Sequence, residues 1–346
     1  MSCFSFSLSA ASKIDKAKYI KMKRLILLLL CLLSPSLQAN IEQGITAFEQ
    51  HNFSLAKKIL SQQSDEDYKK FFYLALIASK NGDLDEAEEY INKTIDLNPL
   101  DANVQFTYAE IMAKQAEEAS LFTMASYVKK VKKSFMMAVE LAPENIEYRR
   151  ALIKFHTNAP GMLGGDINEA LKHAQALKKV DTLSGTGALI HVLGKMGNDE
   201  KFTEELNFAL LNFVDEPELY YQLGLYYQEQ ENFNEAFVNF RKAAHMVTTS
   251  DKQRNARYRA LFQIGRTSLL SNSSYDEGVK AMTQYFQEAV ITSSMPSKSW
   301  AKYRLANLIE AQGDQSQARQ LYKELIQDSA NKDIQKKAKK RMKKLS

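Results

Sequence analysis

Cysteine, proline and tryptophan are scarce in this 346-residue chain: two, six and one residue respectively. Both cysteines, Cys3 and Cys31, lie in the first 31 positions, so the rest of the chain has neither a disulfide framework nor thiolate metal ligands. Thirteen glycines and six prolines are too few for a collagen-like or low-complexity chain. The longest apolar run, residues 25–33, is less than half of the roughly 20 residues a membrane-crossing helix needs. Histidine numbers five, and His51, His156, His173, His191 and His245 fall in no ligand spacing, so no metal site is expected. No stretch alternates with a period of two, which leaves strands without a sequence signal.

What is present begins with a leader. Residues 22–39 carry Lys23 and Arg24, then the apolar run, then Pro35 and a small residue at Ala39. That order is the signature of a secretory signal peptide. The expectation is export across the inner membrane into the periplasm, with cleavage after Ala39 and Asn40 as the mature N-terminus. Cys31 follows Leu30 and not a small residue, which argues against lipid modification. Translation starts either at Met22 or, with an unusually long leader, at Met1.

The leader also explains the charge. The whole chain has 46 Lys and Arg against 41 Asp and Glu; taking away the six basic residues and one aspartate of residues 1–39 leaves 40 of each. A neutral mature chain gives no electrostatic reason to expect nucleic acid as a partner. The balance is uneven, because residues 331–346 hold eight Lys and Arg and one Asp, leaving residues 40–330 net negative by seven.

Catalytic motifs are missing too. There is no Gly-x-Ser-x-Gly elbow, and Gly194-Lys195 is followed by Met196, with Leu189 where a phosphate loop needs its first glycine. Asp85, Glu86, Glu88 and Glu89 read as a solvated helix face. The chain is therefore expected not to be an enzyme and to need no cofactor.

From residue 40 onward apolar residues recur at i, i+3, i+4 and i+7, which predicts an all-α protein. Residues 217–247 set Tyr220, Leu223, Gly224 and Tyr227 on one helix and Phe233, Ala236, Phe240 and Ala243 on the next. Gly224 and Ala236 are small where two helix axes must approach. The register returns with Phe71, Leu74, Ala75, Ala78, Gly82 and Ala87, with Leu305, Ala306, Ile309, Gly313 and Ala318, and more weakly with Gly44, Ala47 and Ala56 and with Leu261, Ile264 and Gly265. This pattern resembles the tetratricopeptide repeat, a helix-turn-helix unit of about 34 residues. The resemblance covers nearly all of residues 41–328, in about eight hairpins. It implies a right-handed superhelical solenoid of antiparallel helix hairpins.

The expected organisation is a leader (1–39), N-terminal hairpins (40–144), atypical hairpins with a glycine-rich insertion (145–212), C-terminal hairpins (213–330) and a basic capping helix (331–346). Residues 101–143 form a lengthened hairpin, and Pro160, Gly161, Gly164 and Gly165 interrupt the one after it. Asp166 reads as the N-cap of the following helix, occupying a position an anion would otherwise take.

In the resembling family, the fifth position of each first helix faces a concave groove that takes peptides or partner helices. That position holds Phe72, Tyr221, Phe262 and Tyr303; the ninth holds Leu76, Leu225, Arg266 and Asn307, with Arg259 and Arg304 nearby. Two readings follow. Either these residues form a partner groove for a protein or peptide with an acidic portion, aromatics and arginine being good anchors, or the aromatics simply pack between hairpins. The tail likewise has two readings. Ile334, Ala338, Met342 and Leu345 share one helical face that either caps the last hairpin or, with its lysines, gives a weak peripheral contact with anionic lipid, as in a membrane-associated assembly factor.

Overall fold

The computed structural model describes residues 41–292, 295–327 and 331–345. The expected leader and its cleavage point at Ala39 lie outside the described residues. Among those described, every regular element is helical and there is no strand.

Eight hairpins follow one another. They are α1 (41–49) with α2 (Phe53–Leu60), α3 (Tyr68–Asn81) with α4 (Leu84–Leu97), α5 (Ala102–Glu118) with α6 (Leu121–Leu141), and α7 (Ile146–Asn158) with α8 (Ile167–Val180). The second half comprises α9 (Thr182–Met196) with α10 (Asp199–Asn212), α11 (Pro217–Glu229) with α12 (Phe233–His245), α13 (Asp251–Ser271) with α14 (Tyr275–Glu288), and α15 (Lys298–Ala311) with α16 (Gln315–Gln327). A single helix, α17 (Lys332–Met342), ends the solenoid.

Close approach inside a hairpin rests on glycine. A Cβ on Gly224 would stand 2.5 Å from the Phe240 ring, and one on Gly265 would stand 2.6 Å from Met282. The turns share a device as well. His51, Gly82, Gly197, Glu231, Asn272 and Gly313 all have positive φ, reversing the chain after the first helix. In five of these six turns an Asn or Asp follows directly: Asn52, Asp83, Asn198, Asn232 and Asp314. Four of those five cap their own second helix by accepting a backbone N–H.

The third and fourth hairpins lack this turn. α6 runs to 21 residues, and a short 3₁₀ turn, Gly161–Leu163, separates α7 from α8. Lys132 on α6 donates to the Gly164 carbonyl at 3.1 Å, fastening the insertion to the preceding hairpin. Asp166 accepts from the Asn168 and Glu169 amides at 2.9 and 3.3 Å, so it does cap α8.

First helices of successive hairpins pack along much of the array, as α9 with α11, α11 with α13 and α13 with α15 do, whereas second helices meet mainly through the ends of long side chains, as Lys178 with Glu205 and Arg241 with Glu277 do. The first helices therefore occupy the shorter, inner circumference. The core passes through residue 213 without a break, since Ile190 and Ala209 share an apolar cluster with Leu219, Phe240 and Leu308. At the far end Ile334, Ala338 and Leu345 pack against Ala306, Tyr322 and Leu325, so the apolar face of α17 covers the last hairpin. That face is in use, and a lipid contact through it would require undocking the helix.

Candidate functional site on the inner face

Three of the four aromatic residues picked out by register are packed away from solvent. Phe72, Tyr221 and Phe262 are buried, Phe262 to 5% exposure. Phe72 meets Tyr73 edge-on at 5.4 Å, and Phe262 meets Tyr285 in the same way at 5.4 Å. Tyr303 is half-buried between Trp300 and Tyr322, at 5.8 and 6.0 Å. Leu225 lies partly buried against the core. Asn307 donates to the Tyr303 carbonyl at 2.9 Å and accepts from the Tyr322 hydroxyl at 2.8 Å.

The polar side chains on the same helices divide into two groups. The first centres on Glu218, one residue into α11 after Pro217, whose side chain is only 4% exposed. Arg150 of α7 donates to it at 2.9 Å, Gln222 at 2.7 Å, and Arg259 of α13 closes the other carboxylate oxygen. Arg150 also reaches the Ser184 hydroxyl at 3.0 Å. Arg259 lies over the Tyr221 ring, its guanidinium carbon 4.4 Å from the centroid. One carboxylate thereby ties four successive hairpins together. Burial alone would push the Glu218 carboxyl up, but Arg259 and Arg150 hold it below the ordinary carboxylate range.

The second group lies about two to three turns further along α11 and α13. Arg266 donates to Gln228 Oε1, and Gln228 donates to the Thr267 hydroxyl at 2.7 Å. Arg304, on α15, has its guanidinium carbon 5.1 Å from the Phe262 centroid. Its Nε is buried with no hydrogen-bond acceptor among the described residues. Burial, reinforced by the neighbouring Arg266 charge, pushes the Arg304 guanidinium down to about 10. Arg266 has a neutral acceptor and Arg304 has a ring, and neither forms an ion pair among the described residues.

The structure therefore brings together Tyr221 with Arg259, and Phe262 with Arg304 and Arg266, while Phe72 stands apart in a different apolar cluster. Sequence reasoning missed Glu218, Arg150, Gln222 and Gln228. Glu218 carried one signal, its place after Pro217, but that signal marks a helix start and says nothing of two arginines from other hairpins.

Among the described residues no group of three or more His, Cys, Asp or Glu side chains is placed to hold a metal ion, and no helix is long and apolar enough to cross a membrane.

Family models agree with this architecture. Two described as tetratricopeptide repeat match the chain, one at residues 72–99 and 217–244 and the other at 300–331. No curated protein matches its sequence. Similar solved structures include a thermophilic TPR protein of Thermus thermophilus, TTC0263, at 13% identity and TM-score 0.42, over 65% of this chain and 99% of that one. MamA AMB-1 is similar at 16% identity and TM-score 0.39, over 49% and 93% of the two chains. A human IFIT1 dimer with PPP-AAAA is similar at 15% identity and TM-score 0.44, over 87% and 71%. With eight stacked hairpins, positive-φ turns in six of them and family-model matches in the second, sixth and eighth, the chain carries tetratricopeptide repeats.

Proposed function

We propose that this protein is a non-catalytic scaffold that holds a segment of a protein partner against its inner face, with an acidic group of that segment seated at Arg266 and Arg304. The observation that carries the reading is Arg304. A half-buried guanidinium without a carboxylate costs stability, and the same inner face shows at Glu218 what a matched arrangement looks like. A partner carboxylate would supply Arg304 with the charge-assisted bond it lacks. The buried rings act indirectly, Phe262 as the floor beneath Arg304 and Tyr221 as the floor beneath Arg259. Arg259 is already neutralised by Glu218, so it shapes the groove next to the seat and is not part of it. Tyr303 and Asn307, on the helix of Arg304, border the seat. The scaffold works by display and binding, with no bond made or broken.

The leader pattern supports a periplasmic setting for this activity, after cleavage behind Ala39. Sequencing the N-terminus of the protein recovered from the cell envelope tests that part, with Asn40 the expected first residue. The binding part is tested by in-cell crosslinking and capture of the tagged full chain beside an Arg266→Ser/Arg304→Gln variant, with helicity checked by circular dichroism. The expected result is an envelope protein captured by the parent and lost by a variant of equal helicity. Equal capture by both would remove the seat from the account. Phe262→Ala is the wrong probe, because truncating so buried a ring costs about 3–5 kcal/mol and confounds binding with folding.

A further inference from the structure

The two ends of the array touch. Asn331, which caps α17 by accepting the Ile334 amide at 2.9 Å, donates its side-chain N–H to the Lys80 carbonyl at 3.0 Å. One side chain thus caps the start of the last helix and the end of α3. Beside it Lys332 meets Asp83 at 2.5 Å, and one turn on Lys336 approaches Glu118 at 4.0 Å.

The turn that receives α17 departs from its equivalents in two ways. A Cβ on Gly197 or Gly313 would meet open space, whereas one on Gly82 would lie 2.9 Å from the Asp333 backbone nitrogen. Asn52, Asn198, Asn232 and Asp314 cap their own helices, whereas Asp83, with a similar backbone conformation, makes no such bond to α4. Its carboxylate is turned to Lys332 instead. The second hairpin has given up a local cap for a contact with the far end of the chain.

The junction is polar. The apolar cluster that holds α17 contains residues of α15 and α16 and none of α3 or α4. What joins the ends is one side-chain bond to a carbonyl and two ion pairs whose lysines are 64% and 79% exposed. Contacts of that kind are weak and screened by salt. The hold of α17 on the last hairpin is of a different kind, because Ile334 and Ala338 are buried and Arg341 pairs with Glu310 at 3.0 Å.

We propose that α17 is an electrostatic latch that closes the array into a ring. It stays docked on the last hairpin while Asn331, Lys332 and Lys336 engage and release the turn at Gly82–Asp83 and the end of α5. In the closed form a long segment reaches the inner face only by threading; in the open form it can be laid in from the side.

The test is pulsed electron paramagnetic resonance on the full chain with Cys3→Ser and Cys31→Ser. Spin labels go at Lys58→Cys and Lys340→Cys, both exposed and outside the latch. At low ionic strength one narrow distance is expected. At about 1 M salt, where the Debye length falls to about 3 Å, most of that component should give way to longer, broader distances. Lys332→Glu with Lys336→Glu should open the array at low salt, and adding Asp83→Lys with Glu118→Lys should restore the narrow distance, which separates latch opening from misfolding. A broad distribution in the parent at low salt would overturn the proposal. So would a narrow one that neither salt nor the lysine reversals change.

Discussion

Glu218 and Arg304 sit on the same inner face, two hairpins apart, and answer the problem of buried charge in opposite ways. Glu218 lies between Arg150 and Arg259 with Gln222 as a further donor. Arg304 has an aromatic ring for a floor, another arginine for a neighbour and an Nε without an acceptor. The first arrangement is complete within the chain and fixes the geometry of four hairpins. The second is incomplete within the chain, and incompleteness at a packed, inward-facing position is what a binding site requires of its free state.

The comparison can be broken most severely from the matched side. Glu218→Gln leaves two arginines without their shared carboxylate and is expected to cost about 3–5 kcal/mol, read from urea unfolding followed by circular dichroism. The pH dependence has a definite sign. Because the Glu218 carboxyl is held below its ordinary value, its contribution is fully present above the unfolded-state carboxylate pKa and is lost as pH falls through the folded one. The parent should therefore lose stability through the acidic range more steeply than Glu218→Gln, as a titration of unfolding midpoints will show. Next in size is Arg150→Gln, which leaves Glu218 one strong partner in Arg259 and should cost about 1–3 kcal/mol in the same assay. Smallest is Gln228→Ala, which takes the neutral acceptor from Arg266 and should cost about 1 kcal/mol, while making the Arg266 and Arg304 pair a stronger seat for an acidic peptide in a titration.

Much of the fold was legible in the residues, because hairpin packing is local. Gly224 against Phe240 and the Gly82 and Gly313 turns follow from spacings within about 34 residues. The groove was legible only in part. Register places Phe262 and Tyr221 on inward-facing helices, but whether a ring there meets solvent or a neighbouring hairpin depends on how closely the hairpins stack, which one hairpin's sequence does not contain. Arg266 and Arg304 could be named as candidates; their contrast with Arg259 could not, since it turns on Glu218, which lies 41 residues from Arg259 and 68 from Arg150. The contact of Asn331 with Lys80 spans 251 residues and left no trace in any repeat.

The most direct test of the central claim needs no partner. Arg304→Met keeps an unbranched apolar stem and removes the guanidinium with its charge. If Arg304 is an unmatched cation held for a ligand, the variant unfolds at higher urea than the parent, by about 1–3 kcal/mol in stability. A variant less stable than the parent by a similar amount would mean that Arg304 is already satisfied within the chain, and the seat would have to be given up.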